Sequence, residues 1–230
     1  MPGKHIVKVY VKDAFYHVYN RGVEKRVIFK DAQDHAVFLK YLKEALAKPT
    51  DRTKLAVGVT FKGGTFKGVP RQPKNFHQTI DLVCYVLMPN HFHFLVKQRD
   101  EHSLDAFVQS VCIRYSMYFN KRYRRVGKLF QGHYRAVLIE EESYLLHLTR
   151  YIHLNPKETN PNLVKGCSSY ADFLHLRHTA WVKPEEILSF FTPTVLPFLK
   201  QRTKYRNFVE DYALPGDTVL GSLTLEDDTL

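Results

Sequence analysis

The chain has 230 residues, 44% of them hydrophobic, which supplies a sizeable core, and no apolar run approaches the ~20 residues that span a bilayer. Lys and Arg number 34 against 23 Asp and Glu, and residues 1–206 hold every basic residue with 17 of the acids, a net +17. The lack of such an apolar run argues against a membrane-spanning helix, and the charge points to a polyanionic partner.

The first element is a strand from Ala14 to Asn20 (AFYHVYN), closed by the turn-forming Asn20-Arg21-Gly22. Asp31 is the expected N-cap of a helix whose apolar residues Val37, Phe38, Tyr41, Leu42, Ala45 and Leu46 recur at helical spacing before Pro49. Residues 50–77 alternate weakly around Gly63-Gly64, which suggests a hairpin with a basic loop (Lys62, Lys67, Arg71, Lys74) inserted in the domain. Thr79 to Leu87 reads as a buried strand, Met88-Pro89-Asn90 as a turn, and His91 to Lys97 (HFHFLVK) as the antiparallel neighbour.

Ser103 is the expected cap of a long helix to about Tyr123 that buries Leu104, Phe107, Val108, Val111, Tyr115, Tyr118 and Phe119. Tyr134 to Ile139 gives a fourth strand. A second long helix runs from about Glu141 to Leu154 and stops before Pro156. Helices at 168–176, 184–191 and 195–211 follow. The order implies an α+β fold, an antiparallel sheet with helices packed on one face, and a C-terminal helical extension. The expected divisions are 1–166 for the core domain, 167–212 for the extension and 213–230 for a tail. Residues 207–230 carry only acids (Glu210, Asp211, Asp217, Glu226, Asp227, Asp228) and invite the reading of a competitor for the polyanion. Cys84, Cys112 and Cys167 are isolated, which argues against a disulfide framework or a zinc ribbon. With no long apolar leader, a cytoplasmic protein is expected.

Two patterns carry chemistry. Residues i and i+2 of a strand project from one face, so His91 and His93 point together while Phe92 and Phe94 point away. Such a pair holds a metal, or else it is simply two half-buried imidazoles with hydrogen-bonded rings. On the helix at 141–155, His147, Tyr151 and Asn155 are four apart and share a face, while Leu145, Leu148 and Ile152 bury against the sheet. Docked beside the HxH strand, that helix supplies a nucleophile and a third ligand. A phenol of pKa about 10 needs activation, which a divalent metal polarising a phosphate provides.

The basic residues cluster too. Ala106 to Ile139 has no Asp or Glu but contains Arg114, Lys121, Arg122, Arg124, Arg125, Lys128 and Arg135. Aromatic residues interleave with them. Tyr115 and Phe119 are assigned to packing, and Tyr123 to stacking on an unpaired base.

The segments YHVYNRG, MPNHFHFLV, RYSMYFNKRYRRVGKLFQGHYR, SYLLHLTRYIHLNP and CSSY occur in this order over about residues 14–175. In combination the chain resembles the REP-associated tyrosine transposases, relatives of the single-strand insertion-sequence transposases in the HUH superfamily. The resemblance implies a ferredoxin-like, HUH-type core. It implies Tyr151 as catalytic nucleophile, with His91, His93 and Asn155 as ligands of Mg²⁺ or Mn²⁺. It further implies single-stranded, hairpin-containing DNA as partner, contacted by Arg21 and the basic run, and a reaction through a 5′-phosphotyrosine with a free 3′-OH. The sequence departs from the family pattern at His133, where a basic residue is expected after FQG, and in the length of 50–77. A nuclease attacking with water and a non-catalytic hairpin binder are the alternatives, and a replication-initiation or relaxase enzyme shares the chemistry but not the wording. The oligomeric state, monomer or dimer, is left open.

Overall fold

The computed structural model describes residues 10–51, 57–62, 64–158, 160–191 and 197–211. Its centre is a four-stranded sheet in the order β4-β5-β1-β6, formed by β1 (Phe15–Arg21), β4 (Ile80–Met88), β5 (His91–Gln98) and β6 (Arg135–Ile139), each pair antiparallel. The expected hairpin in the insertion is β2 (Val57–Phe61) paired with β3 (Gly64–Gly68) as a separate two-stranded sheet. The long helices are α1 (Ala32–Leu46), α2 (Ser103–Arg122) and α3 (Glu142–Leu154), followed by α4 (Tyr170–Phe173), α5 (Glu185–Leu188) and α6 (Pro197–Glu210). Among the described residues, no helix is long and apolar enough to cross a membrane. The acidic tail beyond Asp211 lies outside the described residues.

Helices cover both faces of the sheet, not the single face expected. Phe92, Phe94 and Val96 of β5 and Tyr16 and Val18 of β1 pack with Phe38 and Leu42 of α1 and Phe107, Val111 and Tyr115 of α2. On the opposite face, Leu95 of β5 packs with Leu145, Leu148 and Ile152 of α3 and with Tyr170, Phe173, Ile187, Tyr205 and Val209 of α4–α6. The sequence of β4 carries this second layer, because IDLVCYVLM is apolar without alternation, as a strand buried on both sides must be. A bulge between Leu82 and Cys84 inserts one residue and resets its parity. Leu82, Tyr85 and Leu87 thereby face the first core while Cys84 and Val86 face the second.

Side chains close the helix ends. Asp31 accepts from the Asp34 amide at 3.0 Å, as expected of a cap. At α2 the expected cap, Ser103, is instead the first helical residue. Asp100 accepts from the amides of His102 and Ser103 at 2.8 and 2.7 Å, and Gln98 Oε1 accepts from the Leu104 amide at 2.9 Å. An acid three residues upstream, on the strand-to-helix turn, reaches these amides better than Ser103 reaches its own turn.

The C-terminal extension shares a core with the sheet. The Leu87 amide donates to the Cys167 carbonyl at 2.9 Å, and the Tyr85 amide to Ser169 Oγ at 2.9 Å. His153 of α3, fully buried, stands 2.9 Å from Ser169 Oγ and 2.7 Å from the Tyr205 hydroxyl of α6. One imidazole therefore ties α3, the turn into α4, and α6 to the edge strand.

Candidate active site

The antiparallel register places the functional face in rows across the sheet. Tyr19 of β1 is opposite both His93 of β5 and Arg135 of β6, and Arg21 is opposite His91. Residues directly opposite share a face, so His91, His93, Tyr19, Arg21 and Arg135 all belong to the side that α3 covers. His17, two residues before Tyr19, lies on the same face, and its Nε2 is 2.9 Å from Nδ1 of His93. The alternation expected of β5 holds: Phe92 and Phe94 lie in the other core.

Helix α3 brings the remaining residues onto this face. Leu145, Leu148 and Ile152 bury on the sheet, which turns Tyr151 toward the histidines. Its ring stands edge-on to His93 with centroids 5.3 Å apart and to His17 at 6.4 Å. One turn later the Asn155 side chain stands beside His91, whose Nδ1 is 2.6 Å from Asn90 Oδ1. The third residue of the expected stripe, His147, turns elsewhere, 3.2 Å from Arg150 Nη1 and near Phe208 of α6. Tyr19, buried, packs against His93 at 5.6 Å. Neither His17 nor Tyr19 was singled out from the sequence, although the period-two alternation of Tyr16-His17-Val18-Tyr19 places both on the polar face.

The imidazoles are neutral. Burial pushes His17 down to about 3 and His91 to about 4, the latter lowered further by Arg21 while Asn155 opposes the shift. His93 is held well below its ordinary value, by burial and then by its neighbours His17 and His91. A neutral imidazole keeps a lone pair for a ligand. His93 spends Nδ1 on His17, and its Nε2 is buried with no hydrogen-bond partner. An orphaned buried nitrogen is what a metal ligand looks like without its ion. The donor set of two imidazoles and one carboxamide fits a loosely held divalent ion completed by water and phosphate oxygens. Among the described residues no group of three or more His, Cys, Asp or Glu is arranged to hold a metal. The set depends on the amide of Asn155.

Three loops meet at the His91 end of the sheet. The Gly22 amide donates to the Asn90 carbonyl at 2.8 Å, Val23 to Leu129 at 3.0 Å, and Gln131 to Arg21 at 2.8 Å. A Cβ at Gly22 would come within 2.3 Å of the Arg26 carbonyl, so close approach requires glycine there. The NRG, MPN and LFQG segments are therefore one structural unit. Arg21 is held toward Gln131 Oε1 by Nε and Nη2, each at 3.2 Å.

The basic run divides in two, which differs from the expectation of a uniform nucleic-acid surface. Arg114 pairs with Glu44 and lies 4.1 Å over the Tyr41 ring. Arg122 pairs with Asp31 at 2.7 Å and with the fully buried Asp34 at 2.6 Å. Asp34 also accepts from the Tyr118 hydroxyl at 3.0 Å and the Tyr123 hydroxyl at 2.9 Å, and Lys30 stands 4.2 Å over the Tyr123 ring. These residues lock α1 to α2, because a buried carboxylate must be matched by donors. Lys121, Arg124 and Lys128 are exposed. Arg125 is held by Asn120 Oδ1 at 2.9 Å, and Asn120 Nδ2 also donates to the Gly127 carbonyl at 2.8 Å, pinning the turn that presents them.

Solved structures with some similarity include a REP-associated tyrosine transposase bound to a REP hairpin, at 12% identity and a TM-score of 0.48, covering 75% of this chain and 86% of that one. A candidate transposase from Deinococcus radiodurans R1 is similar at 16% identity and a TM-score of 0.34, covering 64% and 93%. A search of curated proteins finds no match. The family model described as "Transposase IS200 like" matches residues 72–155, which begin before β4 and hold His91, His93, Tyr151 and Asn155.

Proposed function

We propose that the protein cleaves and rejoins single-stranded DNA at hairpins through a covalent 5′-phosphotyrosine on Tyr151. The observation that carries this reading is the docking of α3, which sets Tyr151 edge-on to His93 at 5.3 Å while Asn155 stands beside His91 one turn on. A helix built only for packing has no need of a phenol, a carboxamide and two neutral histidines in one place.

His91, His93 and Asn155 would hold Mg²⁺ or Mn²⁺, which when bound polarises the scissile phosphate and offsets charge developing on it. The chain's own residues do the rest. Tyr151 Oη forms the bond to phosphorus as the P–O3′ bond breaks; the phenol releases its proton and O3′ takes one up. Tyr19 and His17 pack beneath His93 and fix the face against which the phenol rests. Arg21 and Arg135 flank the pair at the ends of the two rows and are the candidate phosphate contacts. Lys121, Arg124 and Lys128 extend the positive surface from the loop that joins Arg21 through Gln131.

Incubation of the protein with labelled hairpin oligonucleotide and Mn²⁺, read on a denaturing gel, tests this. Wild type is expected to give a covalent adduct, and Tyr151→Phe to give none while hairpin affinity stays within about twofold, since only the attacking oxygen is lost. Cleavage that persists in Tyr151→Phe without an adduct would assign the chemistry to water. Chelation with EDTA, His91→Ala and His93→Ala should each abolish cleavage.

A further inference from the structure

We infer that His17 is a positioning residue that sets the tautomer of His93, so that one proton between two buried rings decides whether His93 presents a lone pair to a metal. The inference rests on the reading of His93 as a ligand and adds to it a residue outside the ligand set. His17 Nε2 and His93 Nδ1 are 2.9 Å apart, and both side chains are fully buried. A hydrogen bond between two imidazole nitrogens holds one proton, and a neutral ring carries one proton in all.

Two arrangements satisfy this count. In the first, His93 carries its proton on Nδ1 and donates to His17, which leaves the lone pair of His93 on Nε2. In the second, His17 donates, the proton of His93 moves to Nε2, and that nitrogen cannot ligate. The far nitrogens, His17 Nδ1 and His93 Nε2, are both buried without a hydrogen-bond partner, so no other group fixes the choice. A cation at Nε2 selects the first arrangement, and His17 makes that state available by accepting the hydrogen bond from Nδ1–H. Ligating histidines ordinarily donate this second N–H to a carboxylate or carbonyl, which orients the ring and raises its basicity. Here a neutral ring takes that place. The ring planes are 21° from parallel with centroids 5.1 Å apart, the edge-to-edge approach of a bond between ring nitrogens, and Tyr19 lies 4.8 Å from His17 on the same face. His17 is thus held in place by packing as well as by the bond.

The test uses the full chain with His17→Phe, which keeps a ring but offers no acceptor, and His17→Gln, which keeps an acceptor. Mn²⁺ affinity is measured by electron paramagnetic resonance of the free ion, and the metal-free proteins are melted in parallel. His17→Phe is expected to weaken Mn²⁺ binding about 10–100-fold and His17→Gln to recover most of it, the range seen when such outer partners are removed. In wild type with ¹⁵N-histidine, saturating Mg²⁺ is expected to leave His93 protonated on Nδ1. Equal Mn²⁺ affinity in His17→Phe and wild type, with binding lost in His93→Ala, overturns this inference alone. Recovery no better in Gln than in Phe would reduce His17 to packing. Unaltered binding in His93→Ala overturns the metal reading and this inference with it. Should His17→Phe not fold, the ¹⁵N measurement decides: His93 protonated on Nε2 under saturating Mg²⁺ overturns the inference.

Discussion

Arg122 and Arg124 stand two residues apart in one basic run, yet the fold gives them opposite surroundings. Arg122 ends α2 facing α1 and matches the charge of Asp34, a carboxylate with no exposure at all. Arg124 follows in a left-handed turn (φ 50°) and is exposed. Their effects on DNA binding should therefore separate. Replacing Lys121, Arg124 and Lys128 together with Ala should reduce the slope of log affinity against log salt by about 2 on single-stranded DNA, at ~0.7 for each phosphate no longer neutralised. Arg122→Ala should leave that slope alone and lower the melting temperature instead. Asp34→Ala, which strands the Tyr118 and Tyr123 hydroxyls and the Lys30 amide, should cost about 1–3 kcal/mol in urea titrations. If Arg122→Ala changes the salt slope and the triple variant does not, the DNA path has been assigned to the wrong side of the helix.

At the scale of elements, Gly22 joins two strands and a loop in one crowded spot. Gly22→Ala forces a methyl against the Arg26 carbonyl and the Ile28 side chain, and is expected to destabilise by about 1–3 kcal/mol, as overpacking does. It should also reduce hairpin cleavage, because Arg21 and its bond to Gln131 shift with it; a variant as stable as wild type would refute the close approach. Period-two alternation in HFHFLV and four-residue spacing in HLTRYIHLN were enough to bring Tyr151 and Asn155 onto the histidine strand. Local patterns fix which face a side chain takes. They do not say which elements stack, and so the second helical layer was missed, although the unbroken apolar run of β4 signals it. The same limit explains Arg114, Arg122 and Tyr123. A run without acids looks like a nucleic-acid surface until Asp31, Asp34 and Glu44, some seventy to ninety residues earlier in sequence, arrive across the helix interface.

For the molecule as a whole, the buried histidines make stability depend on pH in a defined direction. His17 and His153 titrate at about 3 in the fold and His91 at about 4, each through burial, against about 6.5 in an unfolded chain. The unfolded state therefore binds more protons than the native state once the pH falls below 6.5. Stability is complete above that value and is lost progressively as the pH drops toward 4. Each group contributes about 1.4 kcal/mol across this window, so these three alone remove about 4 kcal/mol between pH 7.5 and 5.5. That is a large share of the 5–15 kcal/mol, roughly, that a domain has in hand. Carboxylates stay ionised over the same interval, which leaves histidine as the source of the slope. Two of the three lie at the site, and the third, His153, ties α3 to α4 and α6, so acid acts on the layer that delivers Tyr151. Urea titrations at pH 7.5, 6.5 and 5.5 should show the unfolding free energy falling steadily, with the secondary-structure and tyrosine-fluorescence signals moving together. His153→Gln, which removes one titrating group, should start lower at pH 7.5 but lose about 1.4 kcal/mol less on acidification. A free energy that is flat from pH 7.5 to 5.5 would mean that the histidines are charged in the fold, and with it the neutral lone pairs assigned to His91 and His93 would go.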